Sequence, residues 1–371
     1  MPRRDRNHGC TCAAASTSDA QVVAFHRSRA NRWGELELAK IIEAEGITKI
    51  YRGNIKAVDD ISFAVDEGEI FGFLGPNGAG KTTTIKMLDT LATITKGRAT
   101  VAGYDVSKHP GEVRDNIGVV PQELTADEEL KGVENLMLAA RLHHVQRDEA
   151  RGRGVELLKL VDLEIAAERK VKTYSGGMRR RLQLAMGLMH TPRVLFLDEP
   201  TLGLDIQTRK NMWEYIQSLN RENKLTVFMT THYLEEADSL CNRVAIIDHG
   251  TIRVSGSPSE LKERLGGDIL SIQLSEGPDL TEFFRAIPDV SAVTRTGGVY
   301  RLKLPRAERA LPPILEGVTE KGFRITEIAF TKPTLDQVFL EITGKSMRDQ
   351  EEPSGGSEQS GPTSEVDLRN D

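Results

Sequence analysis

Gly75-Pro76-Asn77-Gly78-Ala79-Gly80-Lys81-Thr82, followed by Thr83, stands directly after the apolar run 70–74 and before a helix-forming stretch. The spacing fits G-x-x-x-x-G-K-[ST], a pattern that carries weight in just such a strand-to-helix setting. Glycines at 75, 78 and 80 permit a tight turn whose backbone N–H groups converge on phosphate oxygens. A helix beginning near Lys81 aims its positive end at the same anion. On this reading Lys81 pairs with β- and γ-phosphates, the Thr82 hydroxyl ligates a hard cation such as Mg²⁺, and Thr83 adds a further hydroxyl. The bland alternative, a glycine-rich turn with no ligand, is disfavoured by the strand and helix on either side.

Further along, Val194-Leu195-Phe196-Leu197 reads as a buried strand closed by Asp198-Glu199-Pro200. Open α/β sheets carry their ligand-binding groups at the carboxyl ends of strands. Asp198 is placed to hold Mg²⁺ through water, and Glu199 to take a proton from an attacking water as general base. Two acids after a strand are by themselves as readily a solvated turn; beside a phosphate loop the paired reading prevails.

Composition narrows the rest. The chain has 371 residues, 39% hydrophobic and 28% charged, with a net charge of -6. That is the profile of a water-soluble globular chain with a main domain, a smaller one and tails. No apolar run approaches the roughly 18 residues that a membrane span needs. The acidic balance argues against a nucleic-acid partner, which requires a basic face. Cys10, Cys12 and Cys241 are too few and too ill-paired for a disulfide framework, and a metal site built on them is not expected. Arg3 and Arg4 are followed by polar residues rather than by the apolar segment of a targeting signal, so a cytoplasmic setting is expected.

Residues 1–39 lack either periodicity and are expected to be a disordered extension; 346–371, rich in Ser, Gly, Glu and Asp, are expected to be a disordered acidic tail. Over residues 40–266, strand-like runs such as 70–74 and 194–197 alternate with helix-like ones such as 135–142 and 212–219, which predicts an α/β sheet domain. Over 267–345 the units shorten to 269–274, 280–287, 290–294, 299–304, 314–318 and 324–330. Read as strand, helix, strand, strand, helix, strand, they predict a small α+β module of ferredoxin-like layout.

Tyr174-Ser175-Gly176-Gly177-Met178, between the two motifs, resembles the signature of ABC-transporter ATPases, whose common form is Leu-Ser-Gly-Gly-Gln. From the residues alone, Ser175 before a glycine pair and the helix-forming run 178–189 is a helix N-terminus able to receive a phosphate. Without a ligand, the same stretch is a glycine-rich helix start with Arg179, Arg180 and Arg181 as a solvated face. The resemblance implies an ABC-type P-loop ATPase with a helical subdomain. It further implies that ATP is sandwiched between one subunit's phosphate loop and Ser175, Gly176, Gly177 and Met178 of a second copy, in a head-to-tail twofold dimer. Tyr174 and Met178 depart from the usual pattern; Ser-Gly-Gly keeps the hydroxyl and backbone donors, while the glutamine side chain is lost.

The remaining family elements follow in order from about Ile41 to Leu265. Tyr51 resembles the aromatic residue that stacks on adenine, although a lone Tyr is more often core. Gln122 resembles the glutamine that touches Mg²⁺ and the attacking water and senses the membrane partner. Leu202-Gly203-Leu204-Asp205 resembles the loop that crosses the dimer interface. His232 resembles the histidine that contacts the γ-phosphate and orients Glu199. Thr334-Leu335-Asp336-Gln337-Val338-Phe339-Leu340 resembles the closing segment of daunorubicin-resistance (DrrA-like) exporter ATPases, and Leu335, Val338 and Phe339 are expected to pack on the module's own sheet. The resemblance implies a peripheral subunit at the cytoplasmic face of the membrane. There it would drive a separate ABC-2 type permease through the helical surface between Gln122 and Tyr174. An importer ATPase shares the same motor motifs. A soluble, non-transport ABC ATPase would instead carry a second ATPase domain or a long coiled-coil insertion, and neither is present.

Overall fold

The computed structural model describes residues 39–264, 267–275, 278–305 and 307–344. The expected N-terminal extension, but for residue 39, and the expected acidic tail lie outside the described residues, as do Cys10 and Cys12.

The chain opens with an antiparallel pair, β1 (Lys40–Tyr51) and β2 (Ile55–Asp66), and continues through β3 (Ile70–Leu74) and α1 (Lys81–Leu88). Next come β4 (Lys96–Val101), β5 (Tyr104–Asp105), α2 (Pro110–Asn116) and β6 (Ile117–Val120). A helical stretch follows: α3 (Gly132–Leu142), α4 (Arg147–Leu160) and α5 (Gly176–Gly187). The chain then alternates through β7 (Val194–Asp198), α6 (Ile206–Asn223), β8 (Thr226–Thr231), α7 (Leu234–Leu240), β9 (Arg243–Asp248), β10 (Thr251–Gly256) and α8 (Pro258–Arg264).

Six strands form the central sheet in the order β10-β9-β3-β8-β7-β6, parallel except for the β9–β10 pair. Every residue of β3, β7 and β8 is buried, as a parallel sheet coated on both faces requires. One coat consists of β1, β2, β4 and α1, where Phe63, Phe71, Phe73 and Phe228 pack with ring centroids 5.6–5.9 Å apart. The other is helical: Leu136, Leu157, Leu182 and Ile216 from α3, α4, α5 and α6 share a single core. The sheet is thereby rigid at the edge where its parallel strands end.

The C-terminal elements are β11 (Asp268–Leu274), α9 (Thr281–Arg285), β12 (Ala292–Thr296), β13 (Val299–Leu304), α10 (Ala307–Glu320), β14 (Ile325–Thr331) and α11 (Leu335–Thr343). Their four strands pair in the order β12-β13-β11-β14, all antiparallel. Leu270, Ile272, Leu302 and Leu304 on one face are covered by Phe284 of α9 and by Ile314 and Val318 of α10. α10 starts seven residues before the expected 314, because Pro312 and Pro313, which break most helices, lie on its exposed side.

One expectation is corrected. Leu335, Val338 and Phe339 are buried, but not on the module's own sheet: they join the core that contains Leu234, Ala237 and Leu240 of α7 and Leu261 of α8. Helix α11 begins with a capping box, Thr334 Oγ1 accepting from Gln337 N–H, and its apolar stripe closes over α7 and α8. A stripe at helical spacing predicts that these side chains are buried without saying against what. Among the described residues, no helix is long and apolar enough to cross a membrane.

Candidate functional site

Four neighbouring strands, in the order β3-β8-β7-β6, end at one edge of the central sheet. β3 delivers the loop Gly75–Gly80, β8 delivers His232, β7 ends in Asp198 and is followed by Glu199, and β6 is followed two residues later by Gln122. Segments far apart in sequence thus converge because parallel strands all present their carboxyl ends to the same edge. A cleft of about 640 Å³ lies there, lined by Pro76, Asn77, Gly78, Gly80, Lys81, Thr82, Thr83, Gln122, Glu199 and His232, with Ala57, Leu202 and Tyr233 beside them.

The loop's shape rests on glycine at two points. A Cβ on Gly75 would lie 2.3 Å from the Ile247 carbonyl oxygen. Gly80 has φ +107, and a Cβ there would lie 2.5 Å from the Ala57 carbonyl. Only a residue without a side chain turns the chain so tightly against its neighbours. Ala79 is buried and anchors the loop through its carbonyl, which accepts from Gly250 N–H at 3.0 Å.

Inside the cleft the Lys81 ammonium donates to the carbonyls of Gly75 at 2.8 Å and Pro76 at 3.2 Å, and lies 3.0 Å from Glu199 Oε1. His232 Nδ1 is 3.3 Å from Glu199 Oε2. Burial alone would push the Glu199 carboxyl up, but the His232 bond and the Lys81 charge outweigh it and hold its pKa at about 2. Glu199 occupies left-handed backbone, φ 49, and its N–H is fixed by Thr230 O at 3.2 Å and Thr230 Oγ1 at 3.1 Å. Asp198 lies beneath the cleft rather than on its wall. It is buried, and its Oδ1 accepts from Thr230 Oγ1 at 2.5 Å.

Other predicted positions lie apart from this cleft. Tyr51 is exposed at the end of β1, with Lys49 Nζ 5.1 Å from its ring centre, and does not line the cavity. Ser175 is the N-cap of α5, its Oγ accepting from Met178 N–H at 3.2 Å, and Ser175 and Gly176 face solvent. Gly177 is packed so closely on α6 that a Cβ would stand 2.6 Å from Thr208 Cγ2. Asp205 caps α6, accepting from Thr208 N–H at 2.9 Å and Thr208 Oγ1 at 2.6 Å, which draws its carboxyl below the ordinary range. None of Ser175, Gly176, Gly177, Met178 and Asp205 lines the cleft of their own chain. The departure at Tyr174 has a local cause: its hydroxyl donates to Ala166 O at 2.7 Å inside the helical core, over Gly132.

Residues 58–202 match the ABC transporter family, and residues 256–343 match the C-terminal domain of DrrA1-3-like ATP-binding proteins. The daunorubicin resistance ATP-binding protein DrrA2 of Streptomyces coeruleorubidus is 41% identical over 309 residues, 82% of this chain and 95% of its own. The chain belongs to the ABC-transporter ATP-binding family. The linearmycin resistance ATP-binding protein LnrL of Bacillus subtilis is 38% identical, covering 83% of this chain and all of its own. Among solved structures, a dimeric ATP-binding cassette in a post-hydrolysis state, with ADP and phosphate bound, superposes with a TM-score of 0.54 at 26% identity. It covers 58% of this chain and 98% of that one. This ABC protein therefore binds ATP and is an ATPase.

Two buried groups of the ABC cassette escape a reading by motif. Arg180 is 4% exposed, not part of a solvated face, and its guanidinium reaches backbone carbonyls at the ends of both β6 and β7. Glu236 of α7 is fully buried and accepts from Thr201 Oγ1 at 2.9 Å and Trp213 Nε1 at 3.0 Å. Burial pushes its carboxyl up, against the hydrogen bonds of Thr231, Thr201 and Trp213. A charged residue in an arginine run or on a short polar helix gives no local sign that it points inward.

Proposed function

We propose that this ABC ATPase powers export through a separate permease of the ABC-2 type, at the cytoplasmic face of the membrane, for drug-like, lipid or other amphipathic cargo. The names of its relatives support export: two confer daunorubicin and linearmycin resistance, and another is a Nod factor export ATP-binding protein, 34% identical. The C-terminal match to the DrrA type favours that reading over an importer. We read 40–266 as the cassette and 267–345 as the accessory module, whose strand order supports a ferredoxin-like layout.

The observation that carries the chemistry is the Lys81–Glu199–His232 cluster at the mouth of the phosphate loop. An incoming triphosphate is cradled by the backbone N–H groups of Asn77, Gly78, Gly80, Lys81 and Thr82 and competes with Glu199 for the Lys81 ammonium. Once Lys81 turns to the phosphates, Glu199 loses one of the two influences that depress its pKa, the other being the His232 bond, and becomes the stronger base. Binding of substrate thus arms the residue that deprotonates water, while His232 keeps the carboxylate aimed at it. Gln122, which follows the neighbouring strand β6, lines the same cleft and is assigned to the same water. Thr82, Gln122 and Asp198 offer the hard oxygen donors that Mg²⁺ prefers, and the ion would supply charge neutralisation between the β- and γ-phosphates. Of these three, Thr82 and Gln122 line the cleft, while Asp198 is buried at the end of β7 and would act through water.

Ser175 and Gly176 face solvent, and neither they nor Gly177 line their own cleft, which supports this segment's serving the nucleotide of a second copy in a head-to-tail dimer, with Asp205 at the seam and Tyr51 against adenine. Glu199→Gln tests the whole reading. It should cut turnover by about 10²- to 10⁴-fold and yield an ATP-dependent dimer by light scattering, and a variant that stays monomeric with ATP and Mg²⁺ would refute it. For docking, reversing charge on α3 at Glu134 should abolish export by cells while sparing the ATPase of the isolated subunit.

A further inference from the structure

The run Arg179–Arg181 contains one residue unlike its neighbours. Arg179 pairs with Glu128 at 2.5 Å, and Arg181 donates to Val161 O at 2.9 Å near the surface. Arg180, between them, is buried, and its six hydrogen bonds all run inward. Nε donates to Pro200 O at 2.8 Å; Nη2 donates to Asp198 O at 3.0 Å and Glu199 O at 2.8 Å. Nη1 donates to Pro121 O at 2.7 Å, Gln122 O at 3.2 Å and Gln183 Oε1 at 2.9 Å. Gln183, one turn further along α5, extends the clamp by donating to Glu123 O at 2.7 Å.

We infer that Arg180 is a positioning residue for ATP hydrolysis, one that fixes Glu199 and Gln122 relative to each other and to helix α5. Of the five carbonyls it gathers, those of Pro121, Gln122, Glu199 and Pro200 belong to chain that has left β6 and β7, and that of Asp198 to the last residue of β7, where the ladder ends, so each is served by a donor in the interior. One of them is the carbonyl of Glu199, a non-glycine residue in left-handed backbone, a conformation that persists only where its surroundings over-determine it. Thr230 holds the N–H side of that residue and Arg180 the carbonyl side. The same rigid plane holds the Gln122 carbonyl, so the spacing between the chain segments that carry base and glutamine is set by one guanidinium. A lysine keeps the charge but cannot reach carbonyls on both strands from a single point. Because Ser175–Gly177 begin the helix that carries Arg180, the outward-facing end of α5 and the catalytic carboxylate are joined by about five residues of continuous helix.

This inference rests on Glu199 being the base, and the experiment separates the two. Steady-state ATPase is measured on the full chain for Arg180→Lys, Gln183→Ala and Glu199→Gln, with turnover normalised to the sites that bind a fluorescent ATP analogue and with folding checked by circular dichroism. Arg180→Lys should lose about ten- to a hundredfold in kcat, as a misplaced reacting group does, with KM for ATP within about twofold. Gln183→Ala, which leaves the guanidinium but removes part of its support, should lose about threefold with the same unchanged KM. Normal kcat in Arg180→Lys beside a dead Glu199→Gln overturns the Arg180 inference alone. A loss shared equally by kcat and KM overturns it too, and if Arg180→Lys fails to fold, normal kcat in Gln183→Ala does so. Normal turnover in Glu199→Gln would instead remove the reading of the base.

Discussion

The central sheet and the C-terminal sheet draw on similar apolar residues yet meet their surroundings differently. β3, β7 and β8 are buried along their whole length, whereas the edge strand β14 leaves Ile328 at 39% and Phe330 at 41% exposure. The first sheet has two coats and carries on its carboxyl edge the groups proposed to act on ATP. The second has one helical coat, α9 and α10, and is fastened to the cassette by the separate helix α11. Preorganised chemistry demands the stiffer arrangement, while a module with a core of its own can be altered with less consequence for the site. Each side of this contrast can be attacked by substitution.

The largest effect is expected where the two regions join. Phe339 is fully buried among α7 and α8 residues, so Phe339→Ala should cost about 3–5 kcal/mol, read as a lowered urea midpoint. Since α7 directly follows His232, ATP turnover should fall with it. If stability is lost while turnover per folded molecule is intact, the fastening is structural only.

Lys81→Ala attacks the cassette itself. Loss of the ammonium proposed to meet the phosphates should reduce turnover by about 10²- to 10³-fold, with little change in fold, since the phosphate loop is shaped by its glycines. Retained ATP hydrolysis would separate the cleft from the chemistry assigned to it.

Asp89, at the end of α1, sharpens the contrast through pH. It is buried with its carboxylate accepting from Leu91 N–H at 2.9 Å, and burial pushes its pKa up to about 6, against the pull of Leu91 and Lys86. A carboxyl whose folded pKa lies above the unfolded value contributes stability that is full at low pH and is lost as pH rises through about 6. Asp89→Asn keeps an acceptor without the charge. It should therefore gain on the order of 2 kcal/mol over the parent at pH 8, a gain that shrinks as pH falls to 5, both measured as urea midpoints. An equal gain at both values would show that charge is not the cause.

Much of the site was legible because its signals are local. Gly75–Thr82 is a contiguous pattern in a strand-to-helix setting, Asp198 and Glu199 close the apolar run 194–197, and His232 follows the β-rich run 226–231. Arg180 was not legible: three consecutive arginines look alike, and only the packing of α5 onto the ends of β6 and β7 turns the middle one inward. Likewise the spacing of Leu335, Val338 and Phe339 marks a buried stripe, but whether it meets its own module or the cassette depends on where the chain returns after β14. Such facts reside in tertiary contacts between distant segments, which periodicity does not encode.

The smallest effect tests the open side of the comparison. Phe330 lies opposite Leu270 in the β11–β14 ladder, on the same face as the module's core, yet at the sheet edge, with Lys332 Nζ 5.5 Å from its ring centre. Because the helical coat does not cover it, Phe330→Ala removes little buried area and should cost under about 1 kcal/mol, several-fold less than the same change at Phe339. A larger cost in the isolated protein would mean that β14 is as tightly enclosed as the central strands. The difference in stiffness between the two sheets would then have to come from their connections rather than from how many sides of each are coated.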